Sequence, residues 1–402
     1  MRGLIAGLCC VLGMLQVQAS DRWQFGERIA VGAPTADAVF HHLDGAGRKH
    51  IAVAGDLVAA AWEDNRSQSP QVYVALMAQQ QRGFSAALRA SSGSEAYEPS
   101  LDAVGDNRFV LGYEQDAAVY VRLLSGDGLG AALRLGEGAS HVSVAGAGER
   151  AFAAWRERRQ GRWFLLVASL RLAGNDELVV ESRRPVEADG LATPVLFPVI
   201  AVSDGGLSVA WEDRRAGHTR LLTSFASDAG ASFSAPQSLN EYLSNRNQYD
   251  QGSGVTRVSL AAFGSDELLA AWMDKRRGGA GYGIFAALGS AGAEPFGPNE
   301  KVHGAEGDTL PHYNPATAGN PAGDFVVAWD DFRRGDSDVW ISGYSDELEW
   351  SEDHAPAVAS GSGEQSHPSI ALDARGNLHL LWLERDSLNG PTRLWYSRGV
   401  AR

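Results

Sequence analysis

Polar residues that can bind a sugar or move a proton stand just ahead of apolar runs at recurring points of the chain. They are Glu98 in Tyr97-Glu98-Pro99-Ser100-Leu101, His141 in Ser140-His141-Val142-Ser143, Arg257 in Thr256-Arg257-Val258-Ser259, the cluster His312-Tyr313-Asn314-Pro315, and His367 in Ser366-His367-Pro368-Ser369. Three of these follow one pattern, a polar residue, then Pro, then Ser or Ala. A tyrosine, an arginine and several histidines gathered at one place could hold a sugar, or supply acid and base groups for hydrolysis or β-elimination. The same residues could equally cap exposed loops. Tyr313, Arg257, His312, His367 and Glu98 are therefore candidate catalytic groups, and His141 and Asn314 candidate ligand-binding groups.

A second set of charged residues recurs as acid-x-Arg directly after an aromatic. Asp213 with Arg215, Asp274 with Arg276, and Asp331 with Arg333 are the clearest copies, with Arg66 and Arg159 in similar places. Each arginine could bind an anion, and these six Asp and Arg residues are ligand-binding candidates. The acid two positions earlier also makes each a ready structural ion pair. His41-His42, His50 and Asp44 form a local cluster, but their spacing matches no zinc or calcium motif, so a structural role and no metal are expected. No Gly-rich phosphate loop opening a helix and no Gly-x-Ser-x-Gly elbow occurs, and no cofactor is expected.

The elements that must position these groups form a repeat: a short apolar strand, a turn, a second strand ending in an aromatic, a charged loop and a third strand. The second strand is the anchor, as in Leu57 to Trp62, Ala151 to Trp155, Leu207 to Trp211, Leu268 to Trp272 and Phe325 to Trp329, with weaker copies ending at Tyr113 and Trp382. The anchor aromatics are spaced by 51, 42, 56, 61, 57 and 53 residues. Seven such units predict an all-β, seven-bladed β-propeller of four-stranded antiparallel blades. In Trp-x-Asp-x-Arg the three side chains share one face of the strand, which puts Trp in the blade-to-blade core and Asp and Arg at its rim.

Stretches after Phe84, Phe233, Phe296 and Trp350 read as fourth, outer strands, and Phe25 to Val31 reads as another. The last unit lacks its own, so the early strand is expected to complete the last blade, covering an edge that would otherwise template aggregation. Residues 21–402 are read as one domain whose main irregularity is a loop between blades four and five, from Asn240 to Gly254.

The first 20 residues, with Arg2, an apolar run from Leu4 to Leu15 and the small residues Ala19 and Ser20, have the layout of a signal peptide cleaved near Ala19 or Ser20. A secreted or periplasmic protein is expected. Both cysteines, Cys9 and Cys10, fall inside that segment. The 402 residues contain 35 Lys and Arg against 49 Asp and Glu, a formal charge of −14, which repels phosphate backbones and excludes nucleic acid as an expected partner. No later stretch reaches the ~18 apolar residues of a membrane span, so no membrane insertion is expected after cleavage.

The chain resembles the sialidase-like (BNR or Asp-box) β-propellers, in particular exported bacterial propellers with a Trp-acid-Asp-x-Arg strand in each blade. The fullest Asp-box is Asp228-Ala229-Gly230-Ala231-Ser232-Phe233, with Ala226 in place of the leading Ser. Partial copies are Ser290-Ala291-Gly292 with Phe296, Ser345-Asp346 with Trp350, and Ser125-Gly126-Asp127. The resemblance implies that the box is a turn remote from the active site. For an active sialidase it further implies three arginines around a substrate carboxylate, a Tyr nucleophile paired with a carboxylate, and an acid for proton transfer. The family's Arg-Ile-Pro signature is nearest to Arg28-Ile29-Ala30, where Ala replaces Pro. The function expected is binding of a carbohydrate or surface partner at the channel mouth. The alternatives are an exo-sialidase-like glycoside hydrolase or polysaccharide lyase acting on an acidic glycan, and a scaffold presenting acidic loops to another exported protein.

Overall fold

The computed structural model describes residues 22–32, 38–174, 177–227, 230–241, 254–276, 281–291, 296–343 and 350–402. The signal-peptide reading of residues 1–20, most of the loop between blades four and five, and the box residues Asp228, Gly292, Ser345 and Asp346 lie outside them.

Seven small antiparallel sheets follow one another along the chain. Their second strands are Leu57–Asp64, Arg108–Gln115, Arg150–Arg159, Gly206–Asp213, Glu267–Asp274, Phe325–Arg334 and Leu378–Arg385. These strands are apolar on both faces, because each is sandwiched between two neighbouring blades. In blade one, Val58, Ala60 and Trp62 pack with Leu381, Leu383 and Tyr396 of blade seven. The intervening Ala59 and Ala61 pack with Leu111 and Tyr113 of blade two. Small residues on one face and a tryptophan on the other let successive blades close tightly. All six anchor tryptophans (62, 155, 211, 272, 329 and 382) are fully buried, and Tyr113 takes the same place in blade two.

Outer strands are short where the sequence marks them: Leu88–Arg89, Gln237–Ser238 and Glu300–Lys301 pair the third strands of blades one, four and five. Blade three has a full outer strand, Leu178–Pro185. In blade six the fourth strand is reduced among the described residues to one bridge, Ile341 to His354.

The ring closes through the early segment. Trp23–Phe25 pairs antiparallel with Arg393–Ala401 in register Trp23 to Ala401, and Ile29–Ala30 continues along the same strand opposite Tyr396 and Trp395. Arg28, the nearest match to the Arg-Ile-Pro signature, lies here, 2.7 Å from Glu384 and over the Trp395 ring. Its guanidinium serves the closure and stands apart from the channel residues described below. Of the box-like turns, Ser125-Gly126-Asp127 joins the third strand Ala118–Ser125 to Gly128–Leu129.

Candidate functional site at the channel mouth

The innermost strands ring the channel, and six of them share a feature: their pairing with the second strand skips at one point near the start. The skips fall between Tyr97 and Ser100, Ser140 and Ser143, Leu196 and Val199, Thr256 and Ser259, Tyr313 and Ala316, and Ser366 and Ser369. At each skip one L-residue takes the left-handed conformation: Glu98 (φ 52°), His141 (58°), Phe197 (47°), Arg257 (61°), Asn314 (53°) and His367 (53°). A bulge of this kind re-aims a single side chain, here toward the axis.

In blades one, two, four and six the acid directly after the anchor aromatic holds the bulge of the following blade. Glu63 accepts the Glu98 amide at 3.3 Å, Glu114 the His141 amide, Glu212 the Arg257 amide at 2.8 Å, and Asp330 the His367 amide at 2.8 Å. Blade three has Arg156 at that position, and the His141 Nδ1 accepts the Phe197 amide instead, at 3.0 Å. The motif's second acid and its arginine are used differently. Asp213, Asp274 and Asp331 are buried and accept the indole N–H of Trp211, Trp272 and Trp329. Arg215, Arg276 and Arg333 then bond those same carboxylates at 2.7–2.8 Å. These six residues are taken up in fastening the end of each anchor strand.

The side chains on the bulges meet one another. The His141 ring stacks on Phe197, centroids 4.4 Å apart and 11° from parallel, and the Arg257 guanidinium lies 4.5 Å from the Phe197 ring centre on the next blade. Asn314 donates to Asp330 at 2.7 Å, and the His367 Nδ1 stands 4.0 Å from the same carboxylate. Glu98, His141, Arg257, Asn314 and His367 thus converge as the sequence suggests. His312 and Tyr313 do not join them. His312 is fully buried with its Nδ1 3.1 Å from Asp331, and Tyr313 packs edge-on against Phe332 and Tyr282. Strand alternation separates these neighbours: Asn314 alone occupies the bulge. Phe197 went unrecognised in the sequence because it is apolar, although Phe197-Pro198-Val199 repeats the residue-Pro signature of three other bulges.

Blade one has no single-residue bulge. His41–His42 pairs with Asp64 and Glu63, and pairing resumes at Ile51 opposite Ala60, so segment 43–50 leaves the strand and enters the channel. Leu43, Asp44, Ala46, Arg48 and His50 are all buried there. His41, His42 and His50 turn to different partners, Thr392, Glu63 and the Asp44 amide. Among the described residues no group of three or more His, Cys, Asp or Glu is placed to hold a metal ion, and no helix is long and apolar enough to cross a membrane.

On blades one and two a cleft of about 620 Å³ is lined by His42, Glu63, Tyr97, Glu98 and Glu114 among others. Burial and the neighbouring Glu98 push the Glu114 carboxyl up to about 8. Beside it on blade three, burial first and then the guanidinium groups of Arg48 and Arg156 push His141 down to about 2, so it is neutral at all physiological pH. Burial drives His367 down to about 4 and Asp330 up to about 8.

The Asp330 shift fixes the sign of a pH effect. Its folded value lies above the unfolded one, so the native state binds the extra proton, and stability falls as pH rises from about 4 toward 8. Asp330→Asn keeps an acceptor for the His367 amide and removes the ionisation. Its denaturation midpoint is expected to fall less than the wild type's between pH 4 and 8, with the largest gain over wild type near pH 8. Parallel curves for the two proteins would contradict the assignment.

No protein-family model matches the sequence, and no curated protein matches it significantly. Solved structures do. A protein of unknown function from Dyadobacter fermentans aligns with TM-score 0.56 and 11% identity over 95% of this chain and 100% of that one. The polysaccharide lyase Uly1 aligns at 0.55 and 10% identity, covering 96% and 98%. The α-L-arabinanase of Penicillium chrysogenum complexed with arabinobiose aligns at 0.51 and 11%, covering 93% and 98%. Identities this low show a shared fold and leave function to the site.

Proposed function

We propose that this is an exported, sialidase-like propeller that binds a carbohydrate at the channel mouth, with an acidic sugar as the preferred ligand. The observation that carries the reading is the row of six L-residues held in left-handed backbone at the same point of six innermost strands, with Glu98, His141, Phe197 and Arg257 linked to one another directly or through Arg48 and Asp44. Each such residue costs on the order of 1–3 kcal/mol, and backbone strain of this kind persists mainly where it places functional groups. Guanidinium, imidazole and amide groups from Arg257, His141 and Asn314, the first two held against the Phe197 ring, set polar groups beside an aromatic one, the usual equipment of a sugar site. The Arg257 side chain is about one-third exposed, 34%, and a guanidinium open to the mouth favours a carboxylate-bearing sugar. The polysaccharide lyase and arabinanase among the structural neighbours support a glycan ligand by analogy of fold.

A catalytic reading is favoured by one further observation. Glu114 lines the cleft and holds its proton near neutral pH, which suits a proton donor to a glycan. A glycan array combined with a turnover screen on acidic polysaccharides separates the readings. Binding without turnover is the expected result, with Arg257→Ala weakening it at least about tenfold, the loss of one charge-assisted contact. Turnover abolished by Glu114→Gln would establish the enzyme. Silence on every glycan would overturn both and point to an exported or surface protein as partner.

A further inference from the structure

We infer that segment 43–50 is a built-in floor of the mouth and that Arg48 is its positioning residue, fixing Glu98 and Asp44, the latter with Arg257. The inference rests on the reading of the mouth as a ligand site. Segment 43–50 touches five other blades. The Lys49 carbonyl accepts the Leu101 amide of blade two at 2.8 Å, Arg48 Nε donates to the Val142 carbonyl of blade three at 2.8 Å, and the His50 amide donates to Ser369 Oγ of blade seven at 2.9 Å. Gly47 lies so close to blade five that a Cβ there would stand 2.0 Å from the Val258 carbonyl oxygen, and a Cβ on Gly45 would stand equally close to Asn314 of blade six. At Gly47 the obstacle is backbone and φ is 78°, so only glycine fits there.

Within this floor the Arg48 side chain is wholly buried. Its Nη1 bonds Asp44 and its Nη2 lies 2.9 Å from Glu98 Oε2. The other Asp44 oxygen is 3.4 Å from Arg257 Nη1. One fork-shaped guanidinium therefore joins two mouth carboxylates, hydrogen-bonding Asp44 and the Val142 carbonyl while pairing its charge with Glu98, and lysine could not make all three contacts with the same geometry. Burial pushes Asp44 up, but Arg48 and then Arg257 outweigh it and hold the carboxyl below its usual range. Arg48 also opposes the upward push on Glu114, which faces Glu98, Arg48, Arg156 and the His141 amide.

The test is a ¹³C NMR titration of the Glu114 carboxyl in the full chain, alongside glycan binding. Wild type should titrate near 8. Arg48→Met should move the midpoint up by about one unit or more and weaken binding at least about tenfold. Arg48→Lys, which keeps the charge, should restore the midpoint while recovering binding only in part. A folded Arg48→Met protein with an unmoved midpoint overturns the inference. Should Arg48→Met fail to fold, Glu98→Gln decides: loss of the neighbouring charge should lower the Glu114 midpoint, and no change overturns the proposal. The titration needs no ligand, so a protein that bound no glycan would sink the sugar-site reading and leave the role of Arg48 to be judged by the midpoints.

Discussion

Asp331→Ala is expected to lower the unfolding free energy by about 3–5 kcal/mol, the usual cost of leaving one half of a buried ion pair alone. Asp331 is fully buried and accepts from the Trp329 indole at 3.1 Å, from the Arg333 amide at 2.9 Å and from the Arg333 guanidinium at 2.7 Å, with His312 Nδ1 at 3.1 Å. Alanine would strand the indole without an acceptor, remove the carboxylate beside His312 Nδ1 and leave Arg333 only its outer carboxylate partner, Asp353. Burial alone would push the Asp331 carboxyl up, but the contacts to His312 and Arg333 outweigh it and hold the group well below the usual carboxylate range. A depressed folded value means the stabilisation is complete above the unfolded value of about 3.9 and fades as pH falls below it. The deficit of the variant, measured by urea denaturation, should therefore be full at pH 7 and shrink below about pH 4. A deficit under about 1 kcal/mol at pH 7 would mean the clasp is no stronger than a surface pair.

Trp23→Ala is expected to cost a similar amount, about 3–5 kcal/mol, because it opens a cavity and loosens the ring at once. The Trp23 side chain is 5% exposed and packs among Val326, Ala328, Leu380 and Trp382, so it joins blades six and seven. Its indole donates to the Gly376 carbonyl at 2.9 Å. Gly399 is the residue it crosses, where a Cβ would stand 2.9 Å from that of Trp23. Weakening this strand uncovers the edge of Arg393–Ala401, a free template for pairing with another chain. The variant should thus show both a lower denaturation midpoint and concentration-dependent association by light scattering. An unchanged midpoint would place ring closure elsewhere.

The fold was legible because a propeller states its rules seven times. Trp-x-Asp-x-Arg recurs where a strand is buried on both faces and its end must be fastened, so the anchors at 62, 211, 272 and 329 align without gaps. Ring closure was legible for a related reason: the last unit lacked an outer strand and Phe25 to Val31 supplied one. At the mouth the polar residues ahead of the apolar runs marked five of the six bulge positions without revealing that they are bulges, and the restriction to polar side chains left out Phe197. Proximity in sequence also misled at His312-Tyr313-Asn314, where period-two alternation sends the three side chains to different surroundings. Segment 43–50 was opaque. Leu43-Asp44-Gly45-Ala46-Gly47-Arg48 reads as an ordinary Gly-rich turn, and its role depends on contacts to blades up to 319 residues away, such as His50 with Ser369. The first acid of the anchor motif was opaque as well, since its partner is an amide on the following blade.

The most direct test of the central claim is a crystal structure of the protein soaked with the tightest glycan found on the array. The account predicts sugar density over segment 43–50, stacked beside Phe197 and His141 and within hydrogen-bond distance of Arg257, with a carboxylate turned to the Arg257 side. Sugar bound on the outer strands of the blades, with the mouth empty, would contradict it.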